Sequence, residues 1–221
     1  MSCSISNSVI KVIIPALLLT AGLAGSRVFA DEINDHPALA LVRDTTTVIK
    51  KRIKEDGAAI KANQEHLYNL VTEIVLPHFD FDQMSSWVLG KNWRDANKKQ
   101  QQRFTEEFSR LLVRTYSRAI YDNIDQQINF LPIRGTPADD KVTVRTEIPQ
   151  PAGFPIPIDY KMYHKGSEWK VYDVVIDAIS LVANYRTSFN QEIKKSGIDS
   201  LIASLADRNK KPIDEKTTKT N

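Results

Sequence analysis

The spacing of apolar side chains in this 221-residue chain changes from a helical period to a strand period, and later changes back. Between residues 36 and 122, apolar residues recur every three or four positions, as on one face of a helix. Between 127 and 177 they alternate with polar residues, as in strands. The predicted helices are 36–56, 58–76, 79–89, 97–122, 180–196 and 199–208. The order of helices, then strands, then helices predicts an α+β fold.

The strand pattern is clearest in 141–148, where Val142, Val144, Thr146 and Ile148 alternate with polar residues. The other predicted strands are 155–164, 167–177 and, more weakly, 127–134. Turn-forming residues over 149–155 predict a hairpin between the first two. In 167–177 both faces are apolar, with Trp169, Val171 and Val175 on one and Tyr172, Val174 and Ile176 on the other. We therefore expect this last strand to be covered on both sides.

These elements predict an antiparallel curved sheet of about four strands, covered by helices. The sheet would be of the nuclear-transport-factor-like or cystatin-like kind, with an additional helical part. A single concave sheet faced by long helices can leave a cavity between the two layers. Both layers carry many large apolar side chains, most of which must belong to an ordinary core, so these patterns leave open whether the fold encloses an apolar pocket or a filled interior.

The first thirty residues have the composition of a secretory signal peptide. A positive residue, Lys11, precedes an uncharged stretch over 12–26, and the small residues Val28 and Ala30 mark a cleavage site. We expect cleavage after Ala30 and export; the alternative is an uncleaved N-terminal anchor. The remaining chain is predicted to form one α+β domain over 31–208, followed by a disordered polar tail over 209–221.

Loss of residues 1–30 would lower the net positive charge of the chain. The sequence has 30 basic and 27 acidic side chains, and two basic ones, Lys11 and Arg27, lie in this segment, which leaves 28. The remaining 28 basic and 27 acidic side chains nearly cancel, whereas a nucleic-acid-binding protein has an excess of basic residues, so no nucleic-acid partner is expected. The only cysteine, Cys3, is lost as well. The domain must therefore be stabilised by its core, without disulfides.

No set of residues in the sequence matches a known catalytic or metal-binding arrangement. The four histidines are scattered, and neither a Gly-x-Ser-x-Gly motif nor a phosphate-binding glycine loop is present. His78, Asp80 and Asp82 could suggest a metal site, but positions i and i+2 of a helix point to different sides. Asp80 is better explained as the N-cap that follows Pro77. We predict no metal, no cofactor and no enzymatic activity.

Two carboxylates on the last predicted strand, Asp173 and Asp177, leave a catalytic alternative open. A buried carboxylate with a raised pKa is the general base of some cone-shaped α+β enzymes. The structural interpretation, which we favour, is a paired acid with Arg186 as its partner. A pocket enzyme that uses a buried aspartate therefore stays as one alternative, and a ligand-free interaction module as another.

Five motifs stand in a distinctive order along the chain. The first, over 75–93, reads VLPHFDFDQMSSWVLGKNW, and the others cover 102–116, 169–176, 180–189 and 197–202. Together they resemble the MlaC-like, or toluene-tolerance, family of periplasmic phospholipid-binding proteins of the Mla (maintenance of lipid asymmetry) pathway. The resemblance covers 33–205. Two departures are the lack of a proline at 97–99 and the presence of Ala178 where a glycine is usual.

The resemblance implies a soluble periplasmic carrier of diacyl phospholipid. Such a carrier takes lipid at an outer-membrane lipoprotein–porin complex and passes it to an inner-membrane ABC transporter complex with a periplasmic substrate-binding-like subunit, which maintains the lipid asymmetry of the outer membrane. The expected lipid-binding residues are Trp87, Val88, Leu111, Tyr116, Val144, Ile148, Ile158, Tyr160, Met162, Trp169, Val171, Tyr185 and Phe189. The loops 149–155 and 131–137 are candidates for the mouth of the pocket.

Overall fold

A computed structural model of the chain describes residues 36–134, 136 and 138–210. The predicted signal peptide and its cleavage site lie outside these residues, as do residues 211–221 of the predicted tail. The last helix runs to Lys210, two residues beyond its predicted end at 208. Within the described part of the chain, no helix is both long enough and apolar enough to cross a bilayer.

Eight α-helices are described. They are α1 (Pro37–Glu55), α2 (Gly57–Ala62), α3 (Gln64–Ile74), α4 (Phe81–Leu89), α5 (Lys91–Asp95), α6 (Lys98–Asp122), α7 (Leu181–Ser196) and α8 (Ile198–Lys210). The helix predicted over 58–76 is divided, because Asn63 leaves the helical conformation and its side chain caps α3 by accepting from the Glu65 N–H. A short 3₁₀ turn, Leu76–His78, contains Pro77 and separates α3 from α4.

The longest helix, α6, begins without the proline that the resemblance leads us to expect there. Instead, the Asn97 side chain accepts from the Gln100 N–H at 3.0 Å, and the Gln100 side chain accepts from the Asn97 N–H at 3.0 Å. This reciprocal pair is a capping box, which satisfies two backbone donors at the start of the helix. The departure at 97–99 is therefore compensated locally.

The sheet is antiparallel, open and five-stranded, which confirms the predicted fold class. Its strands are β1 (Asn129–Phe130), β2 (Lys141–Ile148), β3 (Ile156–Lys165), β4 (Glu168–Ile176) and β5 (Ile179–Ser180), paired in chain order. The predicted hairpin is present, with Ile148 opposite Ile156. The two outer strands have only two residues each, which is why alternation along the sequence indicates about four strands.

A β-bulge corrects the predicted faces of β4. Lys161 pairs with Asp173 while the next residue, Met162, pairs with Val171, so Tyr172 is an extra residue in the ladder. Beyond the bulge the alternation is displaced by one position. Val174 and Ile176 therefore lie on the same face as Trp169 and Val171. Strict alternation had placed the first pair on one face of β4 and the second pair on the other.

Three hydrophobic clusters form the core of the described residues. The inner-face cluster joins one face of β2, β3 and β4 to the start of α1, and it contains Val144, Met162 and Val171. The helix cluster lies among α4, α6, α7 and α8 and contains Phe104 and Phe108. The third cluster joins α1, α2, α3 and α6. Tyr116 and Phe79 pack against both the inner-face cluster and the helix cluster, so these two are continuous.

Candidate functional site

Most of the predicted lipid-binding residues lie in the two continuous clusters. Those of the inner-face cluster or packed on it are Val144, Ile158, Tyr160, Met162, Trp169 and Val171. Those of the helix cluster or packed on it are Val88, Leu111, Tyr185 and Phe189. Tyr116 contacts both groups. The fold thus brings together side chains from β2, β3, β4, α4, α6 and α7 that are far apart in sequence.

Two predicted site residues are placed differently. Trp87 is 37% exposed, and its ring packs edge-on against Tyr172 at 5.0 Å, on the opposite face of the sheet from Val144. Ile148 lies on the same face as Val144 but is not among the residues packed on the inner-face cluster. The structure therefore does not bring Trp87 to the common interior, and it places Ile148 beyond the core.

The polar atoms inside this interior include three tyrosine hydroxyls, the hydroxyl of the buried Thr146 and the ring of the buried His36, which packs on Trp169. Tyr116 and Tyr185 are hydrogen-bonded to each other, and burial raises the pKa of both phenols. Burial likewise raises the pKa of Tyr160, whose hydroxyl lies beside Thr146. Phenols are neutral at neutral pH, and the raised pKa values extend this neutrality to higher pH, so the three hydroxyls offer hydrogen bonds without charge. Such an environment suits an apolar ligand that carries few polar atoms.

Asp80 ties the start of α4 to the sheet. Its carboxylate accepts from the Gln83 N–H at 3.1 Å, from Lys165 Nζ at 2.8 Å and from the Tyr163 hydroxyl. Burial by itself would raise the pKa of Asp80, but the hydrogen bonds from Lys165 and Tyr163 outweigh it and hold this pKa below its usual range. The predicted N-cap is confirmed. Among the described residues, no group of three or more candidate ligands could hold a metal ion.

Asp173 is a buried, fully paired acid, but its partner is not the predicted one. Its carboxylate accepts from Lys161 Nζ at 3.1 Å, from Ser180 Oγ at 2.7 Å and from the Val182 N–H at 3.2 Å. Arg186 lies instead against Gly90, where its guanidinium would be 3.2 Å from an added Cβ. The choice of Arg186 was wrong because the cross-strand neighbour Lys161 becomes visible only once β3 and β4 are paired. A general base would need an unpaired carboxylate, which Asp173 does not provide.

Two clefts on the described surface lie away from the candidate residues. A groove of about 560 Å³ runs between α3, α6 and the end of α8, and a depression of about 420 Å³ lies on the outer face of the sheet near Tyr172. Neither is lined by a predicted site residue. The candidate residues pack against one another, so a ligand between them must replace those contacts.

Three residues that belong beside the candidate set were not selected from the sequence. Ile156, Ile176 and Ile179 lie on the same face of the sheet as Val144 and Ile158. The alternation of apolar and polar residues along β3 does place Ile156 on the same face as Ile158. Ile176 was placed on the wrong face because of the bulge, and Ile179 sits in a two-residue strand that is too short to show a period.

The fold and the interior define a class: an α+β protein whose antiparallel sheet and covering helices share one uncharged, apolar interior. The sequence model of the family described as "MlaC protein" matches residues 43–207. Because this match covers most of the chain, the protein belongs to the MlaC family. The resemblance of the five motifs is thereby confirmed.

Individual relatives agree with this assignment. The toluene tolerance protein ttg2D of Pseudomonas putida is 28% identical over 162 residues, which cover 72% of this chain and 74% of that protein. The intermembrane phospholipid transport system binding protein MlaC of Haemophilus influenzae is 24% identical over 199 residues, covering 89% and 93%. A phospholipid-binding protein from Ralstonia solanacearum, solved in complex with a phospholipid, matches with a TM-score of 0.70 and 30% identity, over 77% of this chain and 95% of that one.

Proposed function

We propose that this protein is a periplasmic phospholipid carrier. It holds the acyl chains in the interior between the inner face of the sheet and the helices, and leaves the head group in water. It moves lipid between an outer-membrane lipoprotein–porin complex and an inner-membrane ABC transporter complex with its substrate-binding-like subunit, which maintains the lipid asymmetry of the outer membrane. Membership of the MlaC family and the predicted signal peptide both support the periplasmic location, and the proposal includes cleavage after Ala30.

The observation that carries this proposal is the continuity of the two apolar clusters through Tyr116 and Phe79. A ligand that enters between sheet and helices meets apolar side chains from six elements, together with the neutral hydroxyls of Tyr116 and Tyr160. The Ralstonia solanacearum relative, which shares this fold, was solved with a phospholipid bound. Both facts favour a lipid over a charged or strongly polar ligand.

The energetics favour enclosure of both acyl chains. Each methylene moved from water to an apolar environment contributes about 0.8 kcal/mol, so two chains with roughly 30 methylenes represent on the order of 20 kcal/mol. Leaving one chain in water would forfeit about half of that. A charged head group is costly to bury and is stable in water. Selection should therefore depend on the number and volume of chains more than on the head group.

Release must come from a change in the carrier or from a partner with higher affinity. A protein that binds both chains tightly in one conformation would not give the lipid up, so delivery requires either differential affinity among partners or opening of the interior. In this structure the two clusters contact each other at Tyr116, and lipid entry must separate side chains at that junction. The membrane complexes would then act by stabilising the open or the closed arrangement.

Native mass spectrometry and solvent extraction of the purified protein test the proposal. We expect about one diacyl phospholipid per chain. Val144 is fully buried on the inner face, so Val144→Trp should fill the interior and lower loading, whereas Val48→Trp on the exposed side of α1 is the matched control. Protein that is reproducibly lipid-free, and that cannot be loaded from vesicles, would leave the ligand-free interaction module as the better interpretation.

A further inference from the structure

One end of the sheet carries apolar side chains on its inner face that the core does not cover. At the α1 end of that face, Val144 and Met162 are fully buried. At the hairpin end, Ile156 is 37% exposed and Ile179 is 55% exposed. Ile148 lies opposite Ile156 at the same end. We call Ile148, Ile156 and Ile179 the isoleucine edge.

The strand register places the isoleucine edge on the inner face. Ile148 pairs with Ile156, Thr146 pairs with Ile158, and Val144 pairs with Tyr160, so these pairs follow one another on one face of the β2–β3 ladder. Across β4, Ile158 pairs with Ile176, which in turn pairs with Ile179. Apart from Thr146, whose hydroxyl donates to the Ile158 carbonyl, the face is apolar from the candidate lipid-binding residues to the isoleucine edge. Its width from β2 to β5 is three strand spacings, about 14 Å.

The two residues before Ile179 have an unfavourable backbone conformation. Asp177 and Ala178 form the two-residue connection between β4 and β5, with φ angles of 48° and 65°. Positive φ values are unfavourable for residues other than glycine, and a two-residue hairpin of this kind requires them at both positions. Ile179 directly follows this connection, in β5, and is half exposed, so its side chain contributes little to the core.

The loop next to the edge is also apolar. Phe154, two residues before Ile156, is 94% exposed. Between Arg145 and Lys161 the sequence has no lysine or arginine, and its only charged residues there are Glu147 and Asp159. The turn end of the hairpin, residues 146–160, therefore has no lysine or arginine that could hold a phosphate, whereas it has apolar surface for an acyl chain.

We propose that the isoleucine edge and Phe154 form the opening through which acyl chains enter and leave the interior. The occupant is the acyl chain of the phospholipid, and the proposal rests on the proposed carrier function. An apolar edge that is continuous with the interior lets each methylene pass from one apolar surface to the next, without full exposure to water. The route lies along the inner face of the β2–β3 hairpin and β4.

Rates of lipid uptake test this route. The purified protein is mixed with phosphatidylethanolamine–phosphatidylglycerol vesicles that contain a pyrene-labelled diacyl phosphatidylcholine, and pyrene transfer to the protein is followed with time. Ile179→Glu and Ile156→Glu should slow uptake roughly tenfold or more, because a carboxylate in the route must lose its hydration. Val48, also apolar and 47% exposed but on α1, gives the control Val48→Glu, which should leave the rate unchanged.

The outcomes separate this proposal from the carrier function. A wild-type protein that takes up no lipid defeats the carrier function. If the wild-type protein loads normally, two results overturn the proposed opening. One is that the Ile179→Glu and Ile156→Glu variants load as fast as wild type. The other is that Val48→Glu loads as slowly as these two variants. Thermal unfolding followed by circular dichroism shows whether each variant is folded.

A label at position 154 keeps the test valid if the glutamate variants fail to fold. The only cysteine of the sequence is Cys3, in the segment predicted to be removed, so Phe154→Cys can carry a single bimane group. Loading with phosphatidylcholine that has brominated chains should quench bimane at 154 and not at Val48→Cys. Equal quenching at both positions, or none at 154 in loaded protein, would place the chains elsewhere.

Discussion

Lys165 Nζ lies 2.8 Å from Oδ2 of Asp80, and this ion pair joins the end of β3 to the first turn of α4. Asp80 is almost fully buried, whereas half of the Lys165 side chain is exposed. Through its backbone, Asp80 also donates to the Val171 carbonyl at 2.9 Å. One residue therefore fixes both the helix start and its distance from β4.

Replacing Asp80 should destabilise the protein measurably. Asp80→Asn removes the charge that Lys165 and Tyr163 recognise and leaves their polar groups poorly paired, which should lower the free energy of unfolding by about 1–3 kcal/mol. Urea denaturation at pH 7 measures this. Asp82→Asn, on an exposed residue of the same helix turn, is the matched control and should change stability little. Equal effects of the two variants would contradict a specific role for the buried pair.

The same carboxylate predicts a pH dependence. The pKa of Asp80 is held below its usual range in the folded protein, so its contribution to stability is present above the unfolded-state pKa of about 3.9. That contribution is lost as the pH falls through the lower, folded-state pKa. The stability gap between wild type and Asp80→Asn should therefore shrink below about pH 4. A gap that stayed constant down to pH 2 would show that the charge of Asp80 is not involved.

Ala178 occupies a position that suits glycine. Its φ angle is 65°, in the left-handed region where a Cβ is unfavourable, and its side chain is exposed. Ala178→Gly should raise the free energy of unfolding by about 1 kcal/mol, because the relief of strain exceeds the added freedom of the unfolded chain. Ala203→Gly, at an exposed position inside α8, should have the opposite sign and a similar size. We therefore expect the denaturant midpoint of Ala178→Gly to be higher than that of wild type, and the midpoint of Ala203→Gly to be lower.

Local patterns were sufficient to predict the order of helices and strands, because apolar periodicity records which side of an element is buried. The long helix α6 and the β2–β3 hairpin lie where their patterns indicate. What local patterns cannot contain is the pairing between strands. The extra residue Tyr172, the ion pair of Asp173 with Lys161 and the face of Ile176 all follow from one register shift in the β3–β4 ladder.

Local patterns also fail to predict which neighbours the candidate site residues contact. Apolar residues such as Val144 and Met162 were correctly expected to be inside, since alternation marks the buried face. Trp87 follows the same helical spacing as its buried neighbour Val88, yet it turns to Tyr172 on the other side of the sheet. Periodicity identifies a face of a helix but does not say which neighbour covers it. The division of one predicted helix at Asn63 is likewise decided by a side-chain cap that competes with helix continuation.

The hydrogen bond between Tyr116 and Tyr185 should be worth more than either hydroxyl alone. Both phenols are largely buried and pair with each other, and the Tyr185 hydroxyl has Thr115 as a second partner. Tyr116→Phe leaves the Tyr185 hydroxyl without that partner and should cost about 1 kcal/mol of unfolding free energy, with lipid loading retained. The double variant with Tyr185→Phe should cost less than the sum of the two single variants. Strict additivity in this double-mutant cycle would show that the two hydroxyls do not interact.

Trp87 gives a prediction that separates the interior from the outer surface. Its ring contacts Tyr172 at 5.0 Å and lies outside the two continuous clusters, so it should not touch bound acyl chains. Trp87→Ala should therefore lower stability by about 1 kcal/mol, through the lost aromatic contact, and leave the amount of bound phospholipid unchanged. Met162→Ala, which empties space on the inner face, should change which chain lengths are retained. Mass spectrometry of lipids extracted from both variants measures the difference, and altered chain selection in Trp87→Ala would place the lipid on the outer side of the sheet.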